Sequence, residues 1–212
     1  SAAMAMAVSP VMTSTVSAEL NQAGTGGGNT VAWGEQSNVA QNNGVAIGKQ
    51  AQSTGDSAIA LGFQSNSTSD QSVAIGLQTN ASNKQTVAVG SKSQATGDSS
   101  IAIGKEAKAS SESSVALGSK TQSTNKYTTA VGATASASQE GATALGYKAS
   151  ATAKDTIAIG NSAKAEQEGV LALGSASFAQ GKNTIAIGDS ATAKKEGDII
   201  IGKDAKSRDQ GG

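Results

Sequence analysis

The stretch Thr184-Ile185-Ala186-Ile187-Gly188 is one copy of a pattern that decides the fold, an apolar triplet followed by a glycine. The glycine of this pattern returns every fourteen residues without a slip. Self-similarity at a fixed period is typical of stacked repeats, so the sequence predicts one supersecondary unit copied thirteen times. The recurring glycines are Gly34, Gly48, Gly62, Gly76, Gly90, Gly104, Gly118, Gly132, Gly146, Gly160, Gly174, Gly188 and Gly202.

The composition favours a thin, extended molecule over a globule. The chain of 212 residues contains one Trp, two Tyr and two Phe, and much of its 37% apolar content is Ala. Because large side chains are scarce, little interior volume can be filled. Disordered chains share such a composition, but the strict repeat argues against disorder.

The charged and chemically reactive residues exclude several classes of function. Sixteen Lys and Arg balance sixteen Asp and Glu, so the formal charge is zero and we expect no nucleic-acid partner. His and Cys are absent, which removes the commonest general base, the commonest metal ligand and any disulfide. We therefore expect no catalytic residue, no metal site and no cofactor, and the protein is predicted not to be an enzyme.

The triplets are apolar at all three positions. In a strand, successive side chains point to opposite faces, so the two large residues share one face and the central residue lies on the other. The central residue is Ala in twelve of thirteen copies, where a water-facing strand would carry polar residues. We expect the large residues to fill the interior and the Ala face to meet neighbouring chains. The predicted interface residues are Ala46, Ala60, Ala74, Ala88, Ala102, Ala116, Ala130, Ala144, Ala158, Ala172 and Ala186.

A second strand follows each glycine. Residues three and five positions after the glycine are small, as in Ala51 and Ser53, and the residues beside them are polar, as in Gln50 and Gln52. This alternation predicts a strand with a small inner face and a wet outer face. Turn formers such as Thr96-Gly97-Asp98 then close the coil. The recurring glycine is expected at the other corner, where a positive φ or the lack of a Cβ is needed.

Charged residues form a column eight positions after the later glycines. Their signs alternate from one repeat to the next, which predicts an ion-pair ladder along one edge of the stack. We interpret the column as a register and solubility device. Its members are Glu112, Lys126, Glu140, Lys154, Glu168, Lys182 and Glu196.

The motif [Ser/Thr]-[Val/Ile]-Ala-[Ile/Leu/Val]-Gly, followed by small-x-small, resembles the head repeat of YadA-like trimeric autotransporter adhesins. Ser72–Gly76 and Thr184–Gly188 carry it, and the resemblance covers residues 30 to about 207. It implies an all-β, left-handed parallel β-roll and a homotrimer around a three-fold axis. It also implies a virulence-related adhesin on a bacterial cell surface, anchored in the outer membrane through C-terminal regions. The implied partners are host extracellular-matrix proteins such as collagen, fibronectin or laminin, or other bacteria in autoagglutination.

The predicted organisation is an N-terminal segment, residues 1–28, flexible or capping, followed by head repeats over residues 29–212. The repeats form thirteen coils, the last one incomplete. Val16-Ser17-Ala18 has the small residues of a signal cleavage site but no charged region before it, so a signal-peptide remnant and a capping segment both remain open. In the last triplet Ile200 replaces the central Ala, and we expect this bulky residue either to force neighbouring chains apart or to meet a differently packed neighbour.

The ligand-binding residues predicted from the sequence are polar side chains of the second strand and two rare aromatic residues. They are Gln50, Gln52, Gln64, Asn66, Phe63 and Tyr147. A purely structural spacer with no ligand of its own is the alternative. An enzyme on a β-solenoid is disfavoured by the fourteen-residue period and the absence of His.

Overall fold

The computed structural model describes residues 28–207, so the predicted signal-peptide remnant or capping segment lies outside the described residues apart from Gly28. Residues 28–207 contain short strands and no helix. In chain order the strands are β1 (Val31–Trp33), β2 (Asn38–Val39), β3 (Val45–Ile47), β4 (Gln52–Ser53), β5 (Ile59–Leu61), β6 (Asn66–Ser67), β7 (Val73–Ile75), β8 (Asn80–Ala81), β9 (Val87–Val89), β10 (Gln94–Ala95), β11 (Ile101–Ile103), β12 (Lys108–Ala109), β13 (Val115–Leu117), β14 (Gln122–Ser123), β15 (Thr129–Val131), β16 (Ser136–Ala137), β17 (Thr143–Leu145), β18 (Ser150–Ala151), β19 (Ile157–Ile159), β20 (Lys164–Ala165), β21 (Leu171–Leu173), β22 (Phe178–Ala179), β23 (Ile185–Ile187), β24 (Thr192–Ala193) and β25 (Ile199–Ile201).

The strands alternate between two parallel sheets. The odd-numbered strands form a 13-stranded sheet, here the triplet sheet, and the even-numbered strands form a 12-stranded sheet, here the doublet sheet. The register advances by one repeat per strand, so that Ala102 pairs with Ala116 and Ile103 with Leu117. The prediction of an all-β parallel roll is confirmed, whereas its handedness and its assembly as a trimer stay predictions. Nowhere in residues 28–207 is there a helix long and apolar enough to cross a membrane.

The interior of the roll is lined by small residues, and this reverses the predicted orientation of the triplets. Ala102 is 0% exposed inside the single chain, whereas its neighbour Ile103 points outward and is 41% exposed. The prediction that the Ala column meets neighbouring chains was therefore wrong. The column is wholly buried within one chain at Ala46, Ala60, Ala74, Ala88, Ala102, Ala116, Ala130, Ala144, Ala158, Ala172 and Ala186.

The narrow bore of the roll explains this orientation. Each coil sends four side chains inward, in one coil Ala102, Ala107, Ala109 and Ser114, and all four are fully buried. Beside the larger Val39 the residue is a glycine, since a Cβ added at Gly44 would lie 2.5 Å from Cγ1 of Val39. Because the interior is filled almost entirely by Ala, Ser and Thr, with Val39 and Val170 as its fully buried larger apolar residues, the two large residues of each triplet point to the outer face.

Most interior hydroxyl groups have hydrogen-bond partners, often the carbonyl groups of the turns. The Thr86 hydroxyl donates to the carbonyl oxygen of Asn83 at 2.7 Å, and the Thr184 hydroxyl donates to that of Gly181 at 2.7 Å. Buried polar groups are tolerated when they are hydrogen-bonded in this way. Ser and Thr can therefore replace Ala at many interior positions, although the buried Oγ of Ser177 has no partner among the described residues.

The recurring glycines occupy the corner between a triplet strand and the following turn. All thirteen have φ between 120° and 135°, a range that residues with a Cβ rarely adopt. At Gly104 an added Cβ would also lie 2.3 Å from the carbonyl oxygen of Gly118 in the next coil. Backbone conformation and close stacking thus both require glycine at this corner.

Ile200 lies in the interior column, in register with Ala186. It is half-buried and packs against the Ala core, while Ile199 and Ile201 beside it are exposed. The prediction that Ile200 pushes neighbouring chains apart was therefore wrong, because its side chain points into the roll.

Candidate functional site

The outer face of the triplet sheet is apolar along its whole length. Two residues of each triplet strand point outward, and Thr129 and Thr143 are the only polar ones among the 26 positions on the 13 strands. These side chains are half-buried or exposed in the single chain, as shown by Ile75 at 36% and Ile103 at 41%. We call this surface the apolar face.

The opposite outer surface is polar. It is formed by the outward residue of each doublet strand together with the residue two positions after each recurring glycine, and we call it the polar face. In its first four coils every one of these positions carries a side-chain amide, and we call this part the amide section. Its residues are Gln36, Asn38, Gln50, Gln52, Gln64, Asn66, Gln78 and Asn80.

A ladder of side-chain hydrogen bonds runs through the amide section. The Nε2 atom of Gln50 donates to Oε1 of Gln36 at 2.8 Å, and Gln64 and Gln78 repeat the contact in the next two coils at 2.9 Å each. Gln50 has φ of 59°, so its Cα lies in a left-handed turn conformation. Because each ladder amide still has one N–H and one acceptor lone pair unused, the section presents a regular array of neutral donors and acceptors.

The predicted ligand-binding residues fall into two places. Gln50, Gln52, Gln64 and Asn66 line one shallow, open depression together with Gln36. This arrangement can hydrogen-bond an extended polar chain but offers no charged anchor.

Phe63 and Tyr147 do not line the depression. Each follows a recurring glycine directly, and six coils separate them. Phe63 is 41% exposed and lies one coil from Leu77, which is 44% exposed in the same column. Leu77 was missed at the level of sequence because only the rare aromatic residues stood out there. Tyr147 lies under the ammonium group of Lys148, 4.9 Å from the ring centroid, a distance at which a cation–π interaction forms.

The charged column lies on the second turn of each coil and is paired in part. The Nζ atom of Lys126 is 3.1 Å from Oε2 of Glu112, and that of Lys182 is 3.9 Å from Oε2 of Glu168. The hydrogen bond to Glu112, followed by the charge of that carboxylate, raises the pKa of Lys126. Among residues 28–207 the other adjacent pairs of the column do not approach within 4.0 Å, so the prediction of a continuous ladder was too broad.

Acidic residues do not gather in this structure. Within residues 28–207 no group of three or more Asp and Glu side chains lies close enough to share a metal ion.

Comparison with known proteins places most of the chain in one repeat family. The family model of the YadA head domain repeat (2 copies) matches residues 26–51, 53–79, 67–93, 81–107, 95–121, 123–149, 151–177 and 179–205. Among solved structures, the chain is similar to the collagen-binding domain of the Yersinia adhesin YadA, with 29% identity over 74% of this chain and 73% of that one and a TM-score of 0.45. Comparison with curated protein sequences gives no significant match.

Proposed function

The chain belongs to the family of YadA head-domain repeats, and from this premise we propose that it is the head segment of a homotrimeric bacterial surface adhesin. Its role is attachment to host extracellular-matrix proteins or to other bacteria, without catalytic chemistry. The homotrimer, the cell-surface location and the outer-membrane anchoring are parts of this proposal that membership of the family supports. The choice among collagen, fibronectin and laminin is left to experiment.

The observation that carries the proposal is the apolar face. Soluble monomers rarely expose a contiguous apolar patch larger than a few hundred Å². With about 4.8 Å between strands, thirteen strands give a stripe on the order of 60 Å long. Such a stripe needs a partner that is equally long, equally apolar and of matching spacing.

Further copies of this chain meet those three requirements. A sister roll has the same rise per coil, so the outward Val, Ile and Leu of one chain can interdigitate with those of the next along the whole length. The apolar face contains no charged residue to oppose this contact. In the proposed trimer the interface is therefore formed by Ile75, Ile103, Leu117 and their equivalents, in place of the Ala column.

The polar face supports the adhesive half of the proposal. It lies on the other side of the roll and stays accessible when the apolar faces meet. A trimer presents three amide sections, so several weak hydrogen bonds per chain can be multiplied by simultaneous engagement. Gln50, Gln52, Gln64 and Asn66 are the proposed contacts for an extended polar ligand. Phe63, beside the amide section, and Tyr147, six coils further along, are proposed as separate apolar contacts.

Two measurements test the proposal. Light scattering coupled to gel filtration should give three times the mass of the chain, and a monomer would overturn the assembly. Solid-phase binding to collagen, fibronectin and laminin, together with an autoagglutination assay of cells displaying the chain, should give a signal with at least one of them. If no binding and no autoagglutination were detected, the result would favour the alternative of a structural spacer.

A matched pair of variants assigns the binding to the amide section. The test variant is Gln52→Ser with Asn66→Ser. Serine already occupies the same position, four residues after the recurring glycine, at Ser136 and Ser150. We expect an apparent affinity about tenfold lower or more, because each lost hydrogen bond contributes about 0.5–1.5 kcal/mol. The control Gln122→Ser makes the same change outside the amide section and should bind as the unmodified chain does.

A further inference from the structure

Lysines gather on the middle of the polar face, directly after the amide section ends. In the coils from Gly90 to Gly160, the positions two and four residues after the glycine contain five lysines and one carboxylate, Glu106. We call the five lysines the lysine row. They are Lys92, Lys108, Lys120, Lys148 and Lys164, and all of them are exposed.

The lysine row has no carboxylate partners among the described residues, in contrast to several other lysines of the roll. Lys49, Lys126 and Lys182 each lie within 2.7–3.9 Å of a Glu oxygen. The one acid of the section, Glu106, is contacted from the side by Lys105 at 3.8 Å. Although the net charge of the chain is zero, this section of the polar face therefore has an excess of positive charge.

The backbone holds part of the lysine row at fixed intervals. Lys92, Lys120 and Lys148 occupy the same left-handed turn position, with φ of 58°, 57° and 57°. They recur every second coil, or about 10 Å apart, and the whole row spans roughly 24 Å. Lys is not among the residues that favour this conformation, and no hydrogen bond of these side chains compensates for it in the described structure. Lys92, Lys120 and Lys148 thus form a straight, evenly spaced set of cations, with Glu106 and Thr134 in the same turn position between them. Such a set fits a ligand that is itself linear and repeats its anionic groups.

We infer that the lysine row is a second binding site of this chain, and that its ligand is a linear sulfated polysaccharide. Lys is a compact point charge suited to sulfate groups, and the section contains no Arg to read a planar carboxylate or a base edge. Two separate aromatic side chains adjoin the row, Tyr147 beside Lys148 and Phe178 in register with Lys164, and they do not provide the series of stacking platforms that a single-stranded nucleic acid normally uses. The site goes beyond the proposed function and requires only that the polar face be exposed, in a trimer or a monomer.

The experiment uses the full chain and immobilised heparin as the probe, at about 0.15 M ionic strength, with salt titration. The test variant is Lys92→Gln/Lys120→Gln/Lys148→Gln, because Gln already occupies the same backbone position at Gln36, Gln50, Gln64 and Gln78. The control is Lys126→Gln/Lys154→Gln/Lys182→Gln, which removes the same charge from the opposite edge. Circular dichroism and light scattering verify that both variants keep the fold and assembly of the parent.

The parent chain should bind heparin in a salt-dependent manner. The test variant should bind at least about tenfold more weakly, with a salt slope reduced by about 2 to 3, as expected for three lost charge contacts. The control should stay within about twofold of the parent. Absence of heparin binding by the parent, or equal losses in both variants, would overturn the site.

Two further probes separate the ligand classes. Desulfated heparin should bind at least about tenfold more weakly than heparin, since the point charges recognised by the row are then missing. Duplex DNA should also bind more weakly than heparin at the same ionic strength. If desulfated heparin or DNA binds as tightly as heparin, the assignment to a sulfated polysaccharide is wrong.

Discussion

The two sheets of the roll surround one interior yet have opposite outer faces. Inside, the triplet sheet contributes Ala102 and the doublet sheet contributes Ala107 and Ala109, all fully buried. Outside, the triplet sheet presents Ile101 and Ile103, whereas the doublet sheet presents Lys108. The interior is thus uniform and sets only the diameter of the coil. The outer faces differ, and they decide which surface meets sister chains and which meets other ligands.

The polar face is itself divided in two. Its first four coils carry only amides, linked to one another by side-chain hydrogen bonds of 2.8–2.9 Å. The following coils carry lysines without carboxylate partners. A repeat protein can change its surface chemistry from coil to coil because each coil packs only on its neighbours, so one scaffold can present two different ligand surfaces.

Charged substitutions on the apolar face should destabilise the protein more than the other substitutions proposed below, because they act on the trimer interface. Ile103→Asp with Leu117→Asp would bury unpaired carboxylates in each of three interfaces, at a cost of several kcal/mol per ion. We expect the trimer to dissociate, which light scattering would show as a threefold fall in mass.

The polar face supplies the matched control for that experiment. Gln94→Asp with Gln122→Asp adds the same number of charges to the polar face, two coils apart, and should leave the trimer intact. If Ile103→Asp/Leu117→Asp fails to fold, Ile101→Thr repeats the residue found at Thr129 in the same column and should lower the melting temperature while keeping the trimer. A trimer that survives both aspartates would refute the role of the apolar face.

The recurring glycines lie at the corners that connect the two sheets. Substituting one of them should give the next largest loss in the free energy of unfolding. Gly104→Ala forces a Cβ to within 2.3 Å of a backbone oxygen in the next coil and into a φ of 134°. Gly202 has a similar φ of 128°, but the nearest atom to an added Cβ there is 3.7 Å away. Backbone strain alone costs about 1–3 kcal/mol, so we expect Gly202→Ala to remain in that range and Gly104→Ala to exceed it.

Thermal or urea unfolding of the two glycine variants makes the comparison. Equal losses of stability would mean that the positive φ alone accounts for the requirement for glycine at this position. The close contact with the next coil would then make no further contribution.

The sequence predicted the period, the parallel sheets and the small inner face of the doublet strands, because each depends on local spacing. It did not predict which side of the triplet faces inward. Both sides of Ile101-Ala102-Ile103 are apolar, so the alternation that normally identifies a buried face was uninformative. What decided the orientation was the narrow interior, where residues from different parts of a coil, such as Ala102, Ala107 and Ala109, meet and are fully buried. The fourteen-residue period was enough to predict that Gln50, Gln52, Gln64 and Asn66 lie together. The lysine row was not predicted, because a net charge of zero gave no sign of a local excess of positive charge.

Substituting one interior alanine and one alanine of a turn by leucine tests how tightly the interior of the roll is packed. Ala102→Leu adds three carbons to a filled interior, and overpacking typically costs about 1–3 kcal/mol. Ala133, on the turn after a recurring glycine, is only half-buried, so Ala133→Leu should change the free energy of unfolding by less than about 0.5 kcal/mol. Urea unfolding measures both values. If Ala102→Leu is neutral, the interior is wider than the Gly44 contact indicates.

The smallest predicted effect concerns Asp198, which holds the position that Thr184 holds one coil earlier, between the doublet and triplet sheets. The carboxylate accepts hydrogen bonds from the Ser207 hydroxyl and from the amide of Lys195, the latter at 3.1 Å. The bond from Ser207, aided by that amide, lowers the pKa of Asp198 below its ordinary value of 3.8. Because the folded-state pKa is depressed, the stabilisation is complete above pH 3.8 and is lost as the pH falls through the folded value.

Titration of the Asp198 carboxyl by NMR should therefore give a pKa below 3.8, and Ser207→Ala should move it back toward that value. Asp198→Thr installs the neutral hydroxyl that the preceding coil uses and should remove this part of the acid sensitivity. Since one coil among thirteen is involved, the midpoint of acid unfolding should shift only slightly. An unchanged pKa in Ser207→Ala would mean that Lys195, through its amide and its charge, keeps the pKa of Asp198 low without the Ser207 hydroxyl.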